Sequence, residues 1–220
     1  MRRAELLVDG AAYFAALRCA IEHAQHSILI LGWDIRADLV LDPDHSAETL
    51  RDLLDRVAAE RPELQVRILI WDWLLLYSFD RQPLPWWHLG VRTHERVRFA
   101  LDSAQPPAGC HHEKLVVVDG SLAFVGGIDL TAGRWNTPEH RPSEPRRSPA
   151  AGDKRPPFHD YMLMFEGGAA AAVEELALDR WQAATGETVE PAPATGSAVW
   201  PEGVEPGFGE ASVAIVCCRP

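Results

Sequence analysis

The sequence predicts an α/β fold, a single lobe in which a mixed β-sheet is flanked by helices. Two observations lead to this prediction. Segments with helical and with strand-like apolar spacing alternate over residues 11–101, which is typical of strands joined by crossover helices. Two short apolar runs then flank Asp119-Gly120, a strong hairpin signal that adds antiparallel pairing to the sheet. Because the chain has 220 residues and is 47% apolar, it can bury a sizeable core as one domain.

The first half of the chain supplies two helices and three strands. Residues 11–25 carry apolar side chains at helical spacing, and the apolar run 27–31 predicts a buried strand. Ser46 is the predicted N-cap of a second helix, whose apolar residues fall on one face. Residues 65–71 predict another buried strand, and residues 96–101 alternate in polarity as a half-exposed strand does.

The second half supplies the hairpin, one more strand and a long helix. Residues 114–118 and 122–125 predict the two strands of the hairpin. Residues 161–165 predict a further strand, and residues 169–185 predict a helix that packs an apolar face on the sheet.

Two stretches are too rich in proline for regular structure. Within the first, residues 136–158, the segment 141–155 holds five basic and two acidic residues, a net charge of +3. This segment is either a solvated loop or a lid that contacts an anionic group. The second stretch, residues 186–209, resembles a linker and is followed by a strand-like run at residues 211–216.

Composition and charge argue against several classes of protein. The net charge of −11 disfavours a general nucleic-acid binder, because such a protein needs a basic field to displace phosphate counterions. No apolar stretch has the length of a signal peptide or of a membrane span. The four cysteines have neither zinc-ligand nor disulfide spacing. We therefore expect a reduced, cytoplasmic protein.

The most informative segment contains His112 and Lys114, followed by four apolar residues. On an extended strand, residues two apart project from the same face, so an imidazole and an ammonium share one small volume. This pair suits a phosphate: neutral His112 is a candidate nucleophile that forms a phosphohistidine, and Lys114 neutralises charge on the phosphoryl oxygens. Gly126 and Gly127 let the backbone approach a phosphate or a neighbouring strand. Because the protein's own cations replace a metal, the sequence predicts neither a metal nor another cofactor.

Residues 111–130 resemble the His-Lys-Asp motif of the phospholipase D superfamily. Their continuation to residue 140 is similar to the first motif of the phospholipase D enzymes proper. Phe158-His159-Asp160 and a helix that ends in Arg180-Trp181 are similar to downstream elements of the same family. The resemblance covers nearly the whole chain and implies a phospholipase D-like catalytic lobe over residues 1–185.

The resemblance also implies roles for the residues of the motif. It makes His112 the nucleophile or the general acid and Lys114 a phosphate ligand. Asp119 completes the catalytic motif, where it supports the other two residues rather than making bonds. Gly127 and Asp129 are expected near the phosphate, although many members have asparagine at the position of Asp129.

Four other polar residues receive expectations from the same resemblance. Asp160 is our candidate for the carboxylate that orients the His112 imidazole. His111, His140 and His159 are expected to be structural hydrogen-bonding residues, and His140 is also a candidate to border the site.

One departure from the family pattern implies a partner. Phospholipase D enzymes place two such motifs in one chain, where the two lobes face each other across the phosphate. This chain has one motif, because Gly152 stands two positions before its only other lysine, Lys154. Either a second phospholipase D-like lobe completes the site, with residues 186–220 as linker and start of the connection to it, or a homodimer does. If neither holds, the lobe is catalytically inactive.

Three functions follow as alternatives. The first is hydrolysis or transfer of the phosphatidyl group of a phospholipid substrate, with peripheral contact to the membrane. The second is a single-motif homodimeric nuclease, which the acidic charge disfavours, so nucleic acid is not the expected partner. The third is a non-catalytic phospholipid-binding lobe. Trp71, Trp73, Trp86 and Trp87 flank an apolar run and either pack in the core or form a lipid-facing rim.

Overall fold

The computed structural model describes residues 1–72, 85–104, 109–147, 155–193 and 199–216. Within these ranges the chain forms seven β-strands and three α-helices. In chain order they are β1 (Ala4–Val8), α1 (Asp9–His23), β2 (Ser27–Gly32), α2 (Leu50–Glu60), β3 (Gln65–Trp71), β4 (Val97–Asp102), β5 (Leu115–Val118), β6 (Leu122–Gly126), β7 (Tyr161–Glu166) and α3 (Gly168–Thr185). Every helix and strand predicted between residues 11 and 185 is present, and β1 is an additional strand that the sequence analysis missed.

The seven strands form one sheet in the order β1-β7-β6-β5-β2-β3-β4. β2, β3 and β4 run parallel, whereas the other four neighbouring pairs are antiparallel. The sheet is therefore mixed, which confirms the predicted fold class. Because of these strand directions, the C-terminal ends of five strands and the N-terminal ends of β5 and β7 lie at the same edge of the sheet. We call this end of the sheet, marked by Val8, Gly32, Leu115, Gly126 and Tyr161, the site end.

Helices cover both faces of the sheet. α1 and α2 pack on the face that carries Val116, in a core that also includes Leu53 of α2. α3 covers the opposite face, where Val117 and Trp181 lie in a second core cluster. Because side chains alternate along a strand, Lys114 continues the row of Val116 and lies on the side of α1 and α2.

The hairpin between β5 and β6 has the predicted turn. Asp119 and Gly120 both adopt positive φ, 49° and 58°, which is the geometry of a type I′ turn. This turn type matches the right-handed twist of the two strands it joins. The Asp-Gly signal is therefore confirmed.

The start of α2 differs from the prediction, because Ser46 is not its N-cap. Thr49 caps the helix, and its hydroxyl accepts a hydrogen bond from the backbone N–H of Asp52 at 3.2 Å. The Ser46 hydroxyl accepts instead from the N–H of Glu48 at 3.0 Å. A β-bridge between Val40 and Thr49 holds the residues before the cap extended, so the helix begins later than its polar signal suggests.

The strand predicted at residues 211–216 does not form. Phe208 bridges Ala4 of β1, and the backbone of Ala211 is already paired with Met1. Beyond residue 211, the described chain pairs with no strand of the sheet.

The basic segment 141–155 is partly anchored inside the lobe. The Arg147 side chain is fully buried and donates to one side-chain amide oxygen and three backbone carbonyls. Arg146 pairs with Glu144 at 2.7 Å. These two arginines are used within the protein and do not support the hypothesis of a lid, while residues 148–154 lie outside the described ranges.

The tryptophans of residues 71–87 differ in exposure, so neither core packing nor a lipid-facing rim describes all of them. Trp71 is 6% exposed and packs in the core, whereas Trp86 and Trp87 are 46% and 43% exposed. Trp73 lies outside the described residues. Among the helices of the described ranges, none combines the length and the apolar character needed to cross a bilayer.

Candidate active site

Lys114 lies at the site end, immediately before β5, with its side chain 5% exposed. Its ammonium is 3.5 Å from Oδ2 of Asp129 and 3.4 Å from the carbonyl oxygen of His112. The side chain lines a small pocket together with Tyr13 and Ile128. Burial lowers the pKa of Lys114, and the nearby Asp129 carboxylate opposes that shift.

Asp129 is a buried partner of Lys114. Its side chain is 2% exposed, and Oδ1 accepts hydrogen bonds from the backbone N–H groups of Trp33 and Asp34, both at 3.1 Å. The carboxylate is therefore engaged by the backbone after β2 and by the ammonium. Direct contact between the Asp129 carboxylate and a phosphate oxygen would be repulsive, because both groups are negatively charged.

His112 is exposed at the site end and stands edge-on to the ring of Trp33, with 5.7 Å between the ring centroids. Desolvation by the surrounding atoms is the main cause that lowers its pKa, and the positive charges of Lys114 and Arg134 lower it further. The negative charge of Asp129 acts in the opposite direction. A lowered pKa favours the neutral imidazole, which is the form that can act as a nucleophile.

Arg134 and Trp33 belong to this site, and the sequence analysis assigned a role to neither of them. Arg134 ends a 3₁₀ turn that follows β6, and its guanidinium lies 4.0 Å from the centroid of the Phe158 ring. A signal for Arg134 existed, since it falls within the stretch up to residue 140 that resembles the family motif. Trp33 had a weaker signal, as the residue that directly follows the buried strand β2.

Gly126 and Gly127 permit a close approach between β6 and β7. A Cβ at Gly127 would come within 2.1 Å of Oδ2 of Asp160, and one at Gly126 within 2.2 Å of the Tyr161 carbonyl oxygen. Asp160 thus lies at the site end, and its charge is one of the smaller influences on the pKa of Lys114. In the described part of the chain it forms no hydrogen bond with His112, so its orienting role stays a prediction.

Asp119 lies at the other end of β5 from Lys114. Five residues of extended chain at about 3.3 Å each separate them by roughly 16 Å. The Asp119 carboxylate accepts hydrogen bonds from the backbone N–H groups of Gln25, His26 and Ser27, at 2.7 to 2.9 Å. This position suits the supporting role that the family resemblance implies and offers no contact with a phosphate at the site end.

His140 and His159 meet the carboxylate of Asp9, and these three residues are close enough together to hold a metal ion. Nδ1 of His159 is 2.8 Å from Oδ1 of Asp9, and Nε2 of His140 is 3.6 Å from Oδ2. However, the Asn136 amide donates to Nδ1 of His140 and to the Phe158 carbonyl. Nδ1 of a neutral His140 is then the acceptor, and its proton lies on Nε2, which faces Asp9.

This proton position favours a hydrogen-bonded cluster over a metal centre. A metal at Nε2 of His140 needs that nitrogen unprotonated, and the other ring nitrogen normally donates to an acceptor. Flipping the Asn136 amide does not help, because its oxygen accepts from the buried Arg147 at 2.8 Å. His140 and His159 are thus hydrogen-bonding residues in this structure, and His140 lies beside the start of β7.

His111 is bound on the other side of the strand from Lys114. Its Nε2 is 2.7 Å from Nη2 of Arg180, which also pairs with the buried Asp102 at the end of β4. Since a guanidinium only donates, Nε2 of His111 is an acceptor. These contacts tie the segment that carries His112 to α3.

Fold and site together define the class of protein: an α/β lobe in which an imidazole, a buried ammonium and a guanidinium lie at one end of the sheet. The family model described as phospholipase D matches residues 90–195, just under half of the chain. These residues include His112, Lys114, Arg134 and Asp160. The chain belongs to the phospholipase D superfamily.

Two curated relatives agree with this assignment. The chain is 38% identical to phospholipase D zeta 1 of Arabidopsis thaliana over 154 residues, which are 63% of this chain and 13% of that protein. It is 31% identical to phospholipase D2 of Bos taurus over 160 residues, 70% of this chain and 16% of that protein. It thus spans less than a fifth of the length of either relative.

Two solved structures show the same fold at low identity. NucT from Helicobacter pylori is similar with a TM-score of 0.57 at 11% identity, over 84% of this chain and 98% of that one. The phosphatidylserine synthase of Haemophilus influenzae is similar with a TM-score of 0.50 at 17% identity, over 78% of this chain and 35% of that one. One such lobe therefore accounts for nearly all of NucT and for about a third of the synthase chain.

Proposed function

We propose that this lobe is half of a phospholipase D-type phosphodiesterase that hydrolyses or transfers phosphatidyl groups. The observation that carries the proposal is the pairing of neutral His112 with the buried ammonium of Lys114 at the site end. A ring nitrogen of His112 attacks phosphorus, the bond from phosphorus to the leaving alcohol breaks, and a second imidazole gives that alcohol a proton. Water or an acceptor alcohol then attacks the phosphohistidine, loses its proton to the second imidazole, and releases His112.

The second imidazole comes from another lobe in this proposal. The sequence contains one His-x-Lys pair, and its curated relatives are several times longer than the matched segment. Residues 1–185 are the catalytic lobe, and residues 186–220 lead toward a second lobe. The exposure of the apolar side chains of Val213, Ile215 and Val216 supports a further packing partner for that segment.

A homodimer is the alternative source of the second imidazole. NucT, a chain with little beyond this one lobe, shows that the fold occurs without a second lobe in the same chain. In a two-fold dimer the site ends of two copies face each other, and each copy supplies one imidazole to a shared phosphate.

The substrate in this proposal is a phospholipid reached by peripheral contact with the membrane. Trp86, Trp87 and Val91 are exposed on the chain between β3 and β4. Tryptophan favours the boundary between water and hydrocarbon, because an apolar ring and a polar N–H are both accommodated there. A nuclease receives no such support, and the net charge of −11 opposes binding to a polyanion.

The test is phosphatidylcholine hydrolysis by the purified chain over a series of protein concentrations. His112→Ala is the inactive variant, and His45→Ala, which removes a histidine whose side chain is 82% exposed, is the matched control. Activity that rises faster than linearly with concentration and is lost only in His112→Ala indicates a homodimer. No turnover alone, but His112-dependent turnover after addition of a separately expressed second lobe, indicates a half-enzyme. Vesicle binding that survives His112→Ala, without turnover in either format, would contradict the proposal and favour a binding lobe.

A further inference from the structure

We propose that Arg134 is a further ligand of the substrate phosphate, an inference that rests on the proposed function. Arg134 closes the turn Ala132–Arg134, which follows β6 at the site end. Asp129, the buried partner of Lys114, lies five positions earlier on the same connection. The fold therefore brings the guanidinium to the end of the sheet at which His112 and Lys114 lie.

The guanidinium of Arg134 lacks an anionic partner within the described ranges. Three other arginines with a buried unpaired nitrogen, Arg3, Arg18 and Arg180, have a carboxylate on another nitrogen. Two more, Arg61 and Arg96, donate to a backbone carbonyl, and in the described ranges only Arg67 shares the lack of both contacts. Arg134 has no ion pair and no side-chain hydrogen bond there, and its Nε is buried without an acceptor. Burying a charged donor without an acceptor is costly, so a site that retains one is suited to an anionic ligand.

The Phe158 ring holds this guanidinium in place without using its donors. Cζ lies over the ring, 4.0 Å from its centroid, so the guanidinium makes a cation–π contact with the face of the ring. This contact uses the π electrons of the ring and no hydrogen-bond acceptor, so it does not consume the N–H donors of the guanidinium. The carbonyl of Phe158 is in turn bound by the buried Asn136, which fixes the backbone beneath the ring.

The charges at the site give Arg134 a task that Lys114 cannot perform alone. The Lys114 ammonium is 3.5 Å from the buried Asp129 carboxylate, so together they carry no net charge. A phosphodiester carries one negative charge and needs a surplus of one positive charge at its binding site. Arg134 supplies that surplus from the turn that follows β6, and its charge lowers the pKa of both His112 and Lys114.

The test uses inorganic phosphate as the probe and the full chain as the protein. Phosphate is titrated while the imidazole signals of His112 are followed by NMR, in the wild type and in Arg134→Gln. Arg67→Gln is the matched control, because Arg67 also lies near an aromatic ring without an ion pair, but on the α3 face beside Trp181. We expect Arg134→Gln to weaken phosphate binding about tenfold, the loss of one charge-assisted contact, and Arg67→Gln to bind as the wild type does.

A second measurement separates contact from a general loss of structure. Removal of the Arg134 charge should raise the pKa of His112 in the absence of phosphate, and Arg67→Gln should leave it unchanged. If Arg134→Gln does not fold, Phe158→Leu, which keeps the charge and removes the ring, should also weaken phosphate binding.

The outcomes distinguish this inference from the proposed function. If phosphate does not perturb His112 in the wild type, there is no phosphate site and the proposed function fails. If phosphate perturbs His112 equally in the wild type, in Arg134→Gln and in Phe158→Leu, the phosphate site stands and the role of Arg134 is refuted.

Discussion

Asp119→Ala and Asp119→Asn together decide whether the third residue of the motif acts in folding or in chemistry. The carboxylate accepts three backbone hydrogen bonds from the connection between α1 and β2, at 2.8 Å from Gln25, 2.7 Å from His26 and 2.9 Å from Ser27. Hydrogen bonds to a charged group contribute about 1.5 to 3 kcal/mol each, and less where solvent reaches them, as it does here. Their effects also overlap, because one carboxylate serves all three.

The two substitutions separate these bonds from the backbone conformation. Asp119 adopts φ of 49°, which asparagine tolerates and alanine does not. Alanine loses the three hydrogen bonds and adds about 1 kcal/mol of backbone strain, so the free energy of unfolding should fall by roughly 4 kcal/mol. Asparagine keeps one acceptor oxygen and the backbone conformation, and should cost about 2 kcal/mol.

Urea unfolding, followed by tryptophan fluorescence, measures these differences. Asp179→Asn, on the exposed face of α3, is the matched control and should change the free energy of unfolding by less than about 0.5 kcal/mol. Phosphate binding per folded molecule should be unaffected in Asp119→Asn, because the site end lies roughly 16 Å away. A stability equal to that of the wild type would refute the hydrogen-bond reasoning, and normal stability with lost phosphate binding would give Asp119 a direct role.

Three further predictions test the electrostatics and packing of the lobe. Lys114→Met should raise the pKa of His112 toward that of a free imidazole, because a nearby positive charge is removed; an NMR titration that shows no increase contradicts this. Gly126→Ala should destabilise the lobe by about 2 kcal/mol through its clash with the backbone carbonyl of Tyr161, whereas Gly168→Ala, which meets open space in the first turn of α3, should not; equal melting temperatures would contradict the close approach of β6 and β7. Burial raises the pKa of Glu174, so the folded state is favoured while this carboxyl is protonated, and that contribution to stability is lost as pH rises through the raised pKa. Glu174→Gln should therefore add about 1 kcal/mol to the free energy of unfolding at neutral pH and reduce its dependence on pH.

The fold could be predicted where the local apolar pattern of a segment reflects its position in the sheet. β2 and β3 are central strands covered on both faces, so nearly all their residues are apolar and their bounds are clear in the sequence. β1 lies at the sheet edge, and its five residues form a strand because Phe165 and its neighbours in β7 offer a ladder. That partner is about 160 positions away in the chain, beyond the reach of any local pattern.

The candidate site could be predicted where strand direction alone determines position. His112 and Lys114 precede β5 and Asp160 precedes β7, and the starts of both strands lie at the site end. The pairing of Lys114 with Asp129 was not predictable, since it depends on how the loops after β2 and β6 meet. The position of Arg134 at the site was not predictable either, because it follows from a three-residue turn rather than from a helix or a strand.

The hydrogen bonds of three other histidines support the proposal that a single lobe supplies only one of the two imidazoles that the reaction uses. His111 lies on the opposite side of the strand from Lys114, where its Nε2 accepts from a guanidinium of α3 and carries no proton to give. His140 and His159 are directed at the carboxylate of Asp9. Among the described residues, no second imidazole contacts His112: Trp33 meets its ring, and the charged groups that influence its pKa are Lys114, Asp129 and Arg134. Phosphate binding should therefore be a property of the single lobe, whereas turnover should require a second one, so the two activities are expected to differ in their dependence on protein concentration.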